Sequence, residues 1–246
     1  MHVGVLGGTG VAGSATVAAL ERRGDAVRVL SRRKGFDVTA PSPAPLAGLD
    51  ALVDCLNPSK TTAAAARAVL VDGLRETLAI AVGVGVGHVA SLSIVGIDHL
   101  GLGYYRVKLE QEQVVAESGI PATILRATQF PDLFDLAWGA TKRLGVIPAP
   151  RGAVAPIDPR DVGERLAELV EAGPPADALQ REAIRGPQVV DLRQVAHDWK
   201  RVRGSRRPLL PVPAFGALGA VARGDLVDES APTSEHGWDA WLAAHR

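Results

Sequence analysis

The most constraining feature of this chain is its beginning: a short apolar run, His2–Leu6, leads directly into Gly7-Gly8-Thr9-Gly10-Val11-Ala12-Gly13. Residues 14–23 follow with apolar positions at helical spacing, until Gly24 stops them. A strand, a glycine loop and a helix in that order form the opening of a dinucleotide-binding βαβ unit. The first glycine permits the tight turn, the second lets backbone approach a pyrophosphate, and the third lets helix and strand pack closely. Gly7, Gly10 and Gly13 fit those three roles. Thr9, Val11 and Ala12 complete a loop whose N–H groups face an anion. An ordinary glycine-rich turn is the alternative, and the strand before and helix after weigh against it.

The remaining periodicity continues the alternation of strand and helix. Residues 25–30 and 51–56 read as strands, continuous enough in Val, Leu and Ala to be buried on both faces of a parallel sheet. Between them residues 40–49 are rich in Pro, Ala and Ser, so a loop is expected where a crossover helix would run. A long Ala-rich helix at 61–82, a strand at 88–97, a helix at 104–118 and a strand at 122–126 complete a doubly wound, Rossmann-type α/β sheet. Beyond Phe130 the pattern loosens into helices at 133–143, 162–172 and 192–203, a Pro-rich turn at 147–159 and an extended connector at 208–213. Trp238 and Trp241 read as a terminal helix with a Ser/Thr-capped start. At 246 residues the expectation is one domain, with a core of about residues 1–130 and substrate-covering elements over about 131–246.

Charge and composition narrow the partners. Lys plus Arg and Asp plus Glu are 27 each, so no global field steers the chain toward nucleic acid or an acidic membrane, and a small-molecule substrate is expected. The single cysteine, Cys55, excludes an internal disulfide, and the start lacks the pattern of a signal peptide. The most apolar stretch, 78–95, is broken by three glycines and His88, against a membrane span. A cytoplasmic monomer or homodimer is expected. His88 and His99 lack the spacing and partners of a metal site, and no metal is expected. The basic run 200–207 lacks interleaved aromatics and reads as a solvated helix end.

An acidic residue at the end of the second strand would accept the ribose hydroxyls of NAD, whereas this chain has Ser31-Arg32-Arg33-Lys34 there. Guanidinium groups match a phosphate bidentately, so NADP(H) is favoured over NAD(H), with Arg32 ahead of Arg33. A solvated basic turn is the competing reading.

Several segments in order resemble the short-chain dehydrogenase/reductase superfamily in its atypical, NmrA-like branch. They are GGTGVAG, LSRR, FDV with Asp37 and Val38, VASLSIVGID, YYRVKLEQE, ILRATQF with Arg126 and Phe130, and PIDPRDVG. The likeness covers about residues 1–165 and, more loosely, the WDAWLAAH ending. It implies that Asp37 and Val38 border the adenine, and that the activity is hydride transfer with a Tyr/Lys-assisted proton transfer to a small carbonyl, quinone or related conjugated substrate.

Tyr104 and Lys108 have the YxxxK spacing, and residues four apart share a helix face, so a phenol and an ammonium can enter one site. There Lys⁺ would lower the phenol's pKa and hold the ribose, leaving Tyr104 to exchange the proton. The other reading is a surface helix with Lys108 paired to Glu112. Ser91 and Ser93 face one side of their strand, and Ser93 could hydrogen-bond the substrate oxygen; a local backbone bond is nearly as good an account. Asn57, the chain's lone asparagine, follows the strand at 51–56 instead of lying on the next long helix, where the superfamily keeps its Asn. With Pro58 it would border the cofactor, or else merely initiate a turn. Gln129, Phe130, Phe134 and Trp138 would form an apolar pocket over the nicotinamide, and an ordinary helix core explains them equally well. Two alternatives to the reductase remain: an NmrA-like NADP(H)-binding sensor without turnover, and a tailoring isomerase or dehydratase that retains its cofactor.

Overall fold

The structure is a computed structural model and describes residues 1–58, 62–101, 103–213 and 217–245. Its backbone divides into two compact units, Met1–Ser93 with Gly103–Arg126 and Val162–Glu182, and Ile94–Leu102 with Ala127–Asp161 and Ala183–Arg246.

The first unit is built on the glycine-loop βαβ. Strand β1 (His2–Leu6) leads into helix α1 (Val11–Arg23), and β2 (Ala26–Leu30) pairs parallel with β1 from His2↔Ala26 to Leu6↔Leu30. Strand β2 starts one residue later than the sequence predicts, because the Asp25 N–H still closes the end of α1 on the Leu20 carbonyl at 3.1 Å and the ladder begins with Ala26 N–H on the Met1 carbonyl at 2.9 Å. Only a single 3₁₀ turn, Arg32–Lys34, and a Pro-rich loop separate β2 from β3 (Ala51–Asp54), as expected from residues 40–49. Buried Leu46 and Leu49 anchor that loop in place of a crossover helix.

Helix α2 (Ala63–Arg67) widens into a π-helical stretch, Ala68–Gly73, before α3 (Leu74–Gly83). The long helix of the periodicity is therefore interrupted, and the widened stretch lets Leu70, Val71 and Leu74 all reach the core. The expected first residue of that helix, Thr61, lies outside the described residues. Strand β4 (His88–Ile94), helix α4 (Gly103–Ala116) and strand β5 (Ala122–Ala127) follow. Ile97, expected at the end of β4, belongs instead to a 3₁₀ turn, Ile97–His99.

Six strands form one sheet in the order β2-β1-β3-β4-β5-β8, with β8 (Leu179–Ile184) an element that periodicity does not predict. Its sequence LQREAI carries exposed polar and charged residues, as edge strands do to discourage further pairing. The bonds Ala122 N–H to Ala178 O and Thr128 N–H to Ile184 O advance together along both chains, so this pairing is parallel too. Leu6, Leu30, Leu52, Val89 and Ile124 of the sheet meet Leu70, Leu74, Leu78, Val107, Val114 and Val115 of the helices in one buried cluster. The other face carries α1 and α6 (Pro159–Glu171), where a Cβ on Gly163 would fall 2.8 Å from the Thr16 nitrogen. Arg22 and Arg23 bridge to Glu164, Glu168 and Glu171 along the rim of that pair. Helices on both faces of a parallel sheet make this the Rossmann-type doubly wound fold read from the sequence.

The second unit packs aromatic residues. Helix α5 (Pro131–Ala140) starts two residues before the periodicity because a proline suits its first turn. The short strands β6 (Ile147–Pro148) and β7 (Ala153–Val154) precede β9 (Val190–Asp191), α7 (Leu192–Val202), β10 (Leu209–Leu210), α8 (Ala217–Arg223) and α9 (Trp238–Ala244). Strand β6 pairs with β10 and β7 with β9. Phe134 stacks on Trp138 at 5.5 Å and meets Trp238 edge-on, and Trp238 stacks on Trp241 at 4.7 Å. The Ser/Thr cap expected for the terminal helix is absent: α9 starts at Gly237 without a side-chain cap, and Ser234 Oγ donates to the His236 carbonyl instead. No helix among the described residues is long and apolar enough to cross a membrane.

His88, at the start of β4, is almost fully buried, with Nε2 3.3 Å from Thr123 Oγ1 and Nδ1 without a partner among the described residues. Burial lowers its pKa, so the folded state binds a proton less readily than the unfolded one. Stability from this site is then complete above the unfolded value of about 6.5 and falls as the pH drops through it. Exposed His236, raised by Asp161, works in the opposite direction. The expected result is a melting temperature that declines from about pH 7 to about pH 5.5. The decline should be smaller in His88→Gln; equal declines in both proteins would rule this origin out.

Candidate active site

The glycine loop takes the shape the sequence implies. Gly7 has φ of +70°, donates to the Leu30 carbonyl at 3.0 Å and accepts from Gly10 N–H at 2.9 Å. Gly13 lies so close to the loop that a Cβ there would stand 2.8 Å from the Gly8 Cα. Helix α1 begins after Gly10 with no capping side chain and no acidic residue in its first turn. Its leading N–H groups, at Val11, Ala12 and Gly13, are thus left for an anion. Thr9, Gly10 and Val11 are exposed, and Val11 is 49% accessible although apolar.

The basic turn stands at the end of β2, which pairs with β1. Arg32, Arg33 and Lys34 are exposed, and their side chains make no hydrogen bond or ion pair among the described residues; the turn is closed by backbone bonds alone, Lys34 N–H to the Ser31 carbonyl at 2.8 Å and Gly35 N–H to the Arg32 carbonyl at 3.2 Å. Ser31 Oγ is buried and also without a partner there. A cluster of cations beside an orphaned hydroxyl and an uncapped helix suits a bound phosphate. Asp37 accepts from both the amide and the hydroxyl of Thr39, and these bonds, with the field of Arg32, hold its carboxyl below the usual range. Val38 differs from expectation: its side chain is buried in the core cluster, so only its backbone is left to border a ligand.

Loop and phenol meet at the end of β3. A Cβ on Gly7 would stand 2.6 Å from the Cys55 carbonyl, and two residues on, the Asn57 carboxamide accepts the Tyr104 hydroxyl at 3.0 Å. This is the carboxyl edge of the strands, where open α/β sheets bind ligands. Cys55 itself is sealed, and burial pushes its thiol up to about 12.

The partners expected of Tyr104 are engaged elsewhere. Lys108 is buried and donates from Nζ to the Leu92 carbonyl at 2.8 Å. Burial pulls its ammonium below the ordinary lysine value, against the attraction of Asp54, Glu112 and Cys55. The Tyr104 phenol is not lowered by it: burial, and then Tyr105, raise it to about 12. Ser93 also departs from the reading that it orients a substrate oxygen. Its hydroxyl is buried and donates to Glu112, because that carboxylate lies over the same face of β4 and needs donors.

Residues that motif reading passed over organise this interior. Asp54 is fully buried and accepts from Leu56 N–H at 3.0 Å, Ser91 Oγ at 2.9 Å and Gln111 Nε2 at 2.6 Å. Glu112 takes Arg126 on both oxygens, at 3.0 and 2.8 Å, beside Ser93. The available signal was a carboxylate in the otherwise apolar ALVDCL, and Gln111 and Glu112 at helical spacing from Lys108.

The proposed substrate pocket is corrected in the second unit. Phe134 and Trp138 form its aromatic core, with Trp138 Nε1 donating to the Pro148 carbonyl at 2.9 Å. Gln129 is buried and satisfied at both ends, by the Leu226 carbonyl and the Ala155 amide. These side chains hold the unit together, since buried aromatic and amide groups find internal partners. Phe130, half-buried, precedes α5. No group of three or more His, Cys, Asp or Glu able to hold a metal occurs among the described residues.

No protein-family model matches the chain, and no curated protein matches it. Solved structures do. The NADPH-dependent quinone oxidoreductase QOR2 of Escherichia coli, complexed with NADPH, is 19% identical with a TM-score of 0.68, covering 99% of each chain. A short-chain dehydrogenase/reductase superfamily protein of Agrobacterium tumefaciens with bound NAD is 16% identical with a TM-score of 0.71, over 100% of this chain and 96% of that one. A dTDP-glucose 4,6-dehydratase of Streptomyces venezuelae with NAD bound, DesIV, is 18% identical with a TM-score of 0.74, over 100% and 95%. At such identities the likeness is one of fold.

Proposed function

We propose that this chain, which carries the short-chain dehydrogenase/reductase fold, binds NADP(H) and reduces a small carbonyl, quinone or related conjugated substrate. The observation behind the proposal is the meeting of an uncapped glycine loop with the Tyr104–Asn57 pair at the end of β3. The basic turn at the end of neighbouring β2 supports the choice of cofactor. Gly7, Thr9, Gly10, Val11, Ala12 and Gly13 would hold the pyrophosphate; Ser31, Arg32 and Arg33 the 2′-phosphate; Asp37 and the Val38 backbone the adenine side. When bound, the reduced nicotinamide supplies a hydride. Tyr104 supplies the proton, and its raised pKa keeps it protonated at neutral pH, as a general acid must be. Lys108 positions the end of β4 through Leu92. The NADPH-bound quinone oxidoreductase among the fold neighbours supports NADP(H) and a quinone, and the NAD-bound neighbours support a nicotinamide cofactor generally.

The test is NADPH oxidation against a panel of carbonyls and quinones. Loss of a general acid costs about 10²–10⁴ in rate, so Tyr104→Phe should lose about that much kcat while NADPH affinity is unchanged. Full activity in Tyr104→Phe would remove the residue from the role. A second reading, an NADP(H) sensor of NmrA-like type, draws on the engagement of Lys108 and Ser93 away from Tyr104. It predicts tight binding with no turnover anywhere on the panel.

A further inference from the structure

We propose that Asn57 is a positioning residue for Tyr104: its carbonyl holds the phenol proton at rest, and its rotated amide supports the phenolate once that proton has gone to substrate. The inference rests on the reductase reading and takes up the one place where this chain departs most from the pattern it resembles. The chain has a single asparagine, and it lies at the end of β3 with its Oδ1 on the Tyr104 hydroxyl at 3.0 Å.

The chemistry requires such a partner. A phenol raised to about 12 is a safe acid and leaves an unstable base, so the phenolate formed by proton transfer must be met by a donor. The customary donor would be the ammonium four residues on, and here that ammonium is buried on the Leu92 carbonyl. Ser93 donates to Glu112. Asn57 alone among the described residues bonds the hydroxyl, and a carboxamide carries an acceptor and two donors on one rotatable plane.

In the resting protein the O–H of Tyr104 points at Oδ1. When a substrate oxygen takes the proton, the Tyr104 O–H bond breaks, its electron pair stays on the phenol oxygen, and a new O–H bond forms on substrate. Rotation of the amide then presents Nδ2–H to that oxygen. Asn57 is exposed, so water can return the proton and the amide rotates back.

The chain contains two tyrosines, so Tyr105→Phe leaves Tyr104 as its only phenol and a label on the tyrosine ring carbon bearing oxygen gives one magnetic-resonance signal at neutral pH. In that background, without cofactor, Asn57→Ala should move the signal toward that of a phenol in water, and Asn57→Asp, which still accepts, should retain the hydrogen-bonded shift. Both should lower kcat, measured at saturating NADPH, about tenfold or more, as loss of one positioning hydrogen bond does. An unmoved signal in Asn57→Ala overturns the pair. Turnover in Asn57→Asp equal to that of its parent overturns the donor half. Absence of turnover in the unsubstituted protein over the whole panel overturns the reductase reading itself, an outcome distinct from both.

Discussion

Gly13→Ala is expected to weaken NADPH binding by about a hundredfold or more, because a loop that cannot close loses several charge-assisted bonds together. The added Cβ would stand 2.8 Å from the Gly8 Cα, backbone that no side-chain rotation can clear. Helix α1 must then withdraw from the end of β1, and the Val11, Ala12 and Gly13 amides are carried away from the place where a pyrophosphate would lie. Calorimetric titration with NADPH reads the loss. Circular dichroism and melting separate it from general unfolding, since the sheet core of Leu6, Leu52 and Val89 is untouched by the substitution. Tight NADPH binding by a folded Gly13→Ala protein would show that the cradle lies elsewhere.

The second large effect falls on cofactor choice. The Arg32 and Arg33 side chains stand exposed and without hydrogen bonds among the described residues, so truncating them leaves no internal partner stranded. Hydrogen bonds to a charged group are each worth about 1.5–3 kcal/mol, so Arg32→Ala with Arg33→Ala should weaken NADPH about a hundredfold, at about 1.4 kcal/mol per tenfold. NADH, which lacks the 2′-phosphate, should change by no more than about threefold, since screened surface charge alone contributes little. Raised salt should narrow the preference in the unsubstituted protein. Equal losses for both cofactors would mean damage to the loop instead of lost phosphate recognition. No change for either would leave the basic turn as a solvated surface.

Elements with strong local periodicity were legible in the amino-acid order. The glycine loop, α1, the missing crossover helix at residues 40–49 and the helix carrying Tyr104 each follow from spacing and glycine or proline placement. Strand β8 was not legible, because an edge strand must carry polar residues and so looks like a loop. The π-helical stretch was hidden for a related reason: its residues keep good helical propensity, and only packing reveals that the adjacent Leu70 and Val71 both turn inward. Phe134 and Trp138 illustrate the commonest ambiguity, since an aromatic row after a strand can line a pocket or fill a core, and the Pro148 carbonyl on Trp138 Nε1 decides for the core.

By itself the sequence determined the βαβ frame, the glycine loop with a basic turn after the second strand, and the chemical types present near them: the phenol of Tyr104 and the ammonium of Lys108 at helical spacing, and a single asparagine after the third strand. Only the tertiary structure decided how those groups are partnered. Buried donors and acceptors must be satisfied, and the satisfaction is found across strands and helices far apart in the chain. Lys108 therefore went to the Leu92 carbonyl, Ser93 to Glu112, and the Tyr104 hydroxyl to Asn57.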